Sequence, residues 1–240
     1  MAHLSTVGER DPMLLIQLEP GEAVFAQADA MVSMSPRLKL TAGMHGGILS
    51  SLGRKAFGGE TFFTQKLTCP EQAGQALLAP MLPGDVLVLD VPEDGVVLNH
   101  ATFLAAHDTV RLGLRTQGLL KGLFAQTGGL LTMHAKGRGQ LAVHGFGHLL
   151  ELGVDESGLV VDTGHVVCWS ASLDYSLGVR THQRQGILSG LLSAGLTGEG
   201  LVTTFRGQGS VWVASRNYAA FAEEIAALAS PLVKQTGAAK

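Results

Sequence analysis

Short apolar runs broken by turn residues recur along the chain. Residues 86–91 and 96–98 flank Pro92-Glu93-Asp94-Gly95, residues 160–161 and 166–167 flank Asp162-Thr163-Gly164-His165, and residues 130–133 and 141–143 lie on either side of Lys136-Gly137-Arg138-Gly139. Valine and leucine runs separated by Gly, Pro and Asp predict strand, turn, strand, so each of these is expected to be a hairpin. Apolar side chains at consecutive positions, as at 86–89, predict burial on both faces and therefore stacked sheets in a sandwich or closed barrel. One segment has a different period. Tyr218, Phe221, Ile225 and Leu228 form a stripe at helical spacing, Ser215 or Asn217 can cap its start, and Pro231 follows. That pattern predicts an amphipathic helix over 217–229, within a C-terminal element 217–232, packed on the β body or set between subunits.

Self-similarity changes the picture from many strands to a few copies of one unit. GGILSSLGRKAFGGETFF begins at Gly46, GLLKGLFAQTGGLLTM at Gly118 and GILSGLLSAGLTGEGLV at Gly186, so that Gly59, Gly129 and Gly198 stand 70 and 69 residues apart. Pro20-Gly21-Glu22, Pro83-Gly84-Asp85 and Phe146-Gly147-His148 place a second series of glycines at equal intervals of 63. The expected organisation is a single β domain over 13–216, divided near 13–80, 81–144 and 145–216. After Gly47, Gly118 and Gly186 the apolar spacing fits a helical turn, but the flanking glycines favour a compact connector.

Composition supports a packed β protein. Glycine accounts for 32 of 240 residues, charged residues for only 15% and hydrophobic residues for 46%, which excludes a disordered chain and suits many tight turns. A net charge of −3 gives no general basic surface for nucleic acid or anionic membrane. Cys69 and Cys168 lie 99 residues apart without a C-x-x-C motif, and Glu9, Arg10 and Asp11 occupy the place where a secretory signal would be apolar. A cytoplasmic location is expected.

LAP at 78–80 followed by PGD at 83–85, GGILSSLGR at 46–54, GGETFF at 58–63 and GEGLV at 198–202 together resemble the altered-inheritance-of-mitochondria family, over about residues 14–215. The resemblance implies an all-β fold of three tandem units like the tryptophan RNA-binding attenuation protein (TRAP), a double-stranded β-helix or jelly-roll-like sandwich. It also implies a homo-oligomer, with a trimer expected. It brings no settled activity, since bacterial relatives are generally uncharacterised and fungal members are tied to inner-membrane organisation. Two departures stand out: Leu130 takes the place held by Glu60 and Glu199 in the other copies, and VWVASRN at 211–217 replaces the expected Gln-Thr-Arg ending.

Catalytic chemistry finds little purchase. His144 and His148 are the best histidine pair, but the intervening glycines predict a turn, and the cupin-like ligand pattern of alternating histidines with a glutamate is absent. No metal and no cofactor are expected. There is no G-x-S-x-G elbow, H-E-x-x-H motif or phosphate loop, and Cys168 sits in the apolar run VVCW as an inert thiol, so a non-enzyme is expected. The polar candidates for a ligand or partner contact are Arg54, Glu60, Lys66, Lys136, Glu199 and Arg206: a basic residue after each marker glycine, carboxylates beside two of them, and Arg54 just before the first glycine pair. They lead to two readings. The first is an oligomeric scaffold that presents a repeated surface to a protein or a membrane-associated assembly; the second is a ring that binds RNA or a small ligand.

Overall fold

The computed structural model describes residues 1–43, 64–116, 131–179 and 201–237. An opening strand, β1 (His3–Val7), precedes β2 (Met13–Leu18), β3 (Ala23–Gln27), β4 (Met31–Met34), β5 (Lys39–Gly43), β6 (Thr64–Thr68) and β7 (Gly74–Leu78). A second set comprises β8 (Val86–Asp90), β9 (Val96–Asn99), β10 (Phe103–His107), β11 (Val110–Thr116), β12 (Leu131–Gly137) and β13 (Gln140–His144). The third comprises β14 (Leu149–Val154), β15 (Leu159–Asp162), β16 (Val166–Ser170), β17 (Asp174–Val179), β18 (Leu201–Arg206) and β19 (Gly209–Ala214), after which comes the helix α1 (Tyr218–Gly237). The protein is thus predominantly β with a C-terminal helix, as its alternation of apolar runs and turns requires.

In the first set β2 and β4 pair with β7, while β3 and β5 pair with β6. In the second, β8 and β10 pair with β13, and β9 and β11 with β12. In the third, β14 and β16 pair with β19, and β15 and β17 with β18. Two further antiparallel pairings, β3 with β10 and β9 with β16, join one set to the next. They generate two six-stranded sheets, β5-β6-β3-β10-β13-β8 and β11-β12-β9-β16-β19-β14, beside a four-stranded sheet β1-β2-β7-β4 and a three-stranded sheet β15-β18-β17.

The three expected hairpins are corners instead. β8 and β9 flank Pro92 to Gly95 but lie in different sheets, and the same is true of β12 and β13 and of β15 and β16. The reason is the apolar run itself. A strand that is apolar on both faces calls for cover on both, and stepping to another sheet supplies it in part: in β8 only Val86 and in β15 only Val161 is buried, so the two-sided burial expected of these runs is incomplete. Between β15 and β16 the step is a short 3-10 turn, where Asp162 caps Thr163–His165 by accepting from the Gly164 N–H at 2.8 Å, and a like turn joins β9 to β10, where Asn99 caps His100–Thr102 by accepting from the Ala101 N–H at 3.3 Å. The marker glycines at 21, 84 and 147 are also not equivalent. Gly21 lies between β2 and β3, whereas Gly84 and Gly147 precede β8 and β14. The turns that lead into β3, β9 and β15 carry Gly21, Gly95 and Gly158. The segments around Gly59, Gly129 and Gly198 fall outside the described residues.

Burial follows the joining strands. All five residues of β10 are buried, and in β16 Val166, Val167, Cys168 and Trp169 are buried too. Trp169 is 1% exposed and meets the rings of Tyr175 and Phe205 edge-on, at centroid distances of 4.9 and 5.5 Å. Beside it lie Val97 of β9, from the preceding set, and Val154, Leu173 and Val211 of its own. A core is therefore shared across the junction rather than enclosed by one set.

The helix departs from expectation in two respects. It continues past Pro231 to Gly237, because proline withholds one backbone donor, which a helix of 20 residues can lose without ending. Nor is its stripe packed on the β body beyond Phe221: Tyr218, Ile225 and Leu228 are 55%, 49% and 63% exposed, and Phe221 is 43% exposed. Its first turn is anchored, with Asn217 Oδ1 accepting from the Ala220 N–H at 3.2 Å and the Phe221 ring 5.0 Å from that of Phe146. Replacing Trp169→Ala should empty the shared core and cost about 3–5 kcal/mol in denaturant unfolding. A loss below about 1 kcal/mol would show that the junction is not packed as described.

Candidate functional site

The candidate contact residues are distributed rather than gathered. Lys66 lies in β6, Lys136 in β12 and Arg206 in β18, which belong to three different sheets. Lys66 Nζ is 3.8 Å from Asp108 Oδ2 and lies 5.4 Å from the centroid of the Phe25 ring, so this cation has local partners. Lys136 is exposed opposite Arg111, and Arg206 is exposed opposite Asp174. Register separates the three further. Thr64, Thr132 and Val202 face Gln27, Asn99 and Asp162 at one strand end. Lys136 and Arg206 stand four residues beyond their counterparts in that series; Lys66 stands two beyond, and Thr68 holds the fourth place. Spacing counted from a glycine outside the strand could not reveal that difference. Arg54, Glu60 and Glu199 lie outside the described residues.

The histidine pair divides into one buried and one exposed ring. His144 is 4% exposed, and desolvation lowers its pKa from 6.5 to about 4, with the Ala101 backbone opposing the shift weakly. His107 is also 4% exposed and also lowered, chiefly by burial; its Nδ1 accepts from the Gln140 N–H at 3.1 Å. Both rings are neutral core groups at physiological pH. Burial likewise pushes the Cys168 thiol up, with Glu151 adding to the effect, so its thiolate is disfavoured. Cys69 is buried and its thiol donates to the Gln72 carbonyl at 3.0 Å. Among the described residues, no three His, Cys, Asp or Glu side chains are grouped to hold a metal.

His148 has a role that sequence spacing missed. Its Nδ1 is 2.6 Å from Asp85 Oδ2, which also accepts from the Leu149 N–H at 2.9 Å. Around this contact, Asp85 N–H donates to Gly147 O at 2.8 Å, Gly147 N–H to Pro83 O at 3.0 Å and Gly145 N–H to Asp85 O at 3.1 Å. Ser215 completes the clasp: its Oγ accepts from the His148 N–H at 2.9 Å and its own N–H donates to the His148 carbonyl at 2.8 Å. A Cβ on Gly84 would fall onto the backbone of Gly145 and Gly147, so this approach requires glycine. The arrangement fastens the entry of β8 to the entry of β14. Its signal in the sequence was the PGD and FGH pair, which meet each other rather than marking separate sites. Chemically it is one carboxylate oxygen shared by a backbone N–H and a solvated imidazole.

The family described as mitochondrial biogenesis AIM24 matches residues 4–216. An uncharacterised protein of Streptococcus pyogenes serotype M6 is 33% identical over 218 residues, covering 88% of this chain and 84% of that protein. An X-ray crystal structure of a Streptococcus pyogenes protein superposes with a TM-score of 0.74 at 29% identity, covering 94% of this chain and 98% of the other.

The buried histidines set a pH dependence of stability. An unfolded His144 takes up a proton near 6.5, whereas the folded one resists until about 4, so acid favours the unfolded chain throughout that window. Unfolding free energy should fall by roughly 3 kcal/mol between those limits, with His107 adding in the same direction. Chemical denaturation of wild type and His144→Gln at several pH values checks this: the variant should show a shallower slope, and identical slopes would exclude His144 as the source.

Proposed function

The chain belongs to the mitochondrial biogenesis AIM24 family, and from that premise we propose that it is a non-enzymatic oligomeric scaffold that presents a repeated β surface to a protein partner or a membrane-associated assembly. The observation that carries this reading is the exposed stripe Tyr218, Phe221, Ile225 and Leu228, of which Phe221 alone meets a ring of the β body. Four large apolar side chains on one face of an exposed helix are an interaction surface in search of cover. Among the described residues no helix is long and apolar enough to cross a membrane, so the stripe is suited to a surface contact rather than a span.

The architecture behind that surface is read as three tandem TRAP-like units in a double-stranded β-helix. Supporting this is the recurrence of one pairing scheme in β2 to β7, β8 to β13 and β14 to β19. A finer mark recurs with it: β4, β10 and β16 each skip one residue against their partner, between Met31 and Ser33, Phe103 and Ala105, and Val166 and Cys168. Non-enzymatic action is favoured by the use made of the reactive side chains. His144, His107, Cys69 and Cys168 are buried, while Asp85 and His148 are committed to a clasp. A cytoplasmic setting accords with two free thiols kept buried.

The second reading, a ring that binds RNA or a small ligand, draws on Lys136 and Arg206 at equivalent strand positions. It is the weaker of the two, since Lys66 is out of that series and is engaged with Asp108. Solution mass tests the scaffold reading. Sedimentation equilibrium at micromolar concentration should give a multiple of 25.1 kDa, and a monomer throughout would overturn it. Retention on a single-stranded RNA pool should be slight and insensitive to Lys136→Ala with Arg206→Ala; strong retention lost in salt and in that double variant would favour the ring binder.

A further inference from the structure

We infer that β4 and β15 are the two halves of one strand junction, and that β15 of each chain pairs with β4 of a second copy. The inference rests on the three-unit reading and extends it to a surface and an occupant. Each internal junction joins the second strand of one unit to the third strand of the next: β3 to β10, and β9 to β16. The third strand of the first unit, β4, has β7 as its strand partner, and the second strand of the last unit, β15, has β18. The three-stranded sheet β15-β18-β17 and the strands β4-β7-β2 are accordingly complementary halves of the six-stranded sheets that the chain builds twice within itself.

The register of the missing junction can be derived. Asn99 and Asp162 each cap the 3-10 turn after their strand, which places Val96, Val97 and Leu98 in correspondence with Leu159, Val160 and Val161. The shared skipped residue places Ser33 in correspondence with Cys168, and Met34 with Trp169. Within the chain, Leu98 faces Cys168, Val97 faces Trp169 and Val96 faces Ser170. The intermolecular ladder therefore sets Val161 opposite Ser33, Val160 opposite Met34 and Leu159 opposite Ser35.

Burial shows what each position lacks. Val97 is 2% exposed because the next unit covers it, whereas its counterpart Val160 is 62% exposed. On the other half, Met31 and Val32 of β4 are 39% and 54% exposed, and a shallow groove beside Met34 is floored by Leu15, Ala76 and Leu77. An apolar strand edge that the described residues leave open in this way is a template for pairing. A second copy is the occupant these halves fit, since it carries the complementary strand in the register already used twice. Each copy offers one β15 and one β4, so the contact is head to tail and closes only as a ring or continues as a filament.

Paired cysteines test this directly. Met34→Cys and Val160→Cys are made in separate chains, mixed and oxidised, with the native thiols buried at positions 69 and 168. Facing residues on antiparallel strands lie within disulfide reach. The mixture should yield a covalent dimer on a non-reducing gel, and neither single variant alone should. Val160→Asp should weaken association about tenfold or more in sedimentation while leaving the β circular dichroism unchanged. A disulfide that forms only within one chain of the double variant would overturn the proposal by showing that the halves close on each other. An oligomer that forms no such disulfide and ignores Val160→Asp would also overturn it, leaving the scaffold reading intact with a different interface. A monomer would overturn both.

Discussion

Everything in this fold depends on the antiparallel ladder that joins one strand set to the next. β3 with β10 and β9 with β16 are short pairings, yet they sit in the middle of the two six-stranded sheets and divide each into three strands from one set and three from its neighbour. A set of six strands by itself therefore supplies two half-sheets and no complete one. Backbone donors along a strand edge demand partners, and apolar faces demand cover, so neither requirement is met until the next set arrives. This mutual incompleteness explains why Val97 lies beside Trp169 in a core otherwise built by the third set.

The sequence disclosed the kind of element well and the partners poorly. Alternation of Val and Leu runs with glycine turns made β structure legible, and the stripe from Tyr218 to Leu228 made the helix legible. What local pattern cannot encode is which strand lies alongside. Pro92 to Gly95 has the composition of a hairpin turn, and a corner between sheets uses the same residues for the same change of direction. The choice between them is made by β12 and β13, some forty residues further on. Lys66 illustrates a related limit. Counting from a glycine gives a distance along the chain, whereas equivalence within a sheet is fixed by the cross-strand neighbour, here Phe25 rather than the Ala23 that faces Thr68.

Side chains that suggest chemistry in the sequence serve the architecture in the structure. Imidazole is a poor core group when charged, and the fold accommodates His144 and His107 by keeping them neutral at the cost of acid stability. Asp85 shows the opposite solution. Half-exposed at the surface, it gathers the His148 ring and the Leu149 N–H, so one side chain holds the entries of two strands that lie far apart in sequence. The PGD string belongs to a contact between two sets, which is why neither member alone could be read as a site.

Two of the uncovered apolar features among the described residues are neighbours. β15 runs directly into the capped turn Thr163–His165, and within that turn Gly164 lies against the Asn217 side chain that starts the helix. The Phe146 and Phe221 rings fix the first turn of the helix at the same place. The edge of β15 and the exposed helical stripe therefore lie together at one end of the third set. Apolar side chains scattered singly over a surface are ordinary, whereas a contiguous patch marks a contact. Here the apolar side chains converge at β15, a strand that among the described residues pairs on one side alone, with β18.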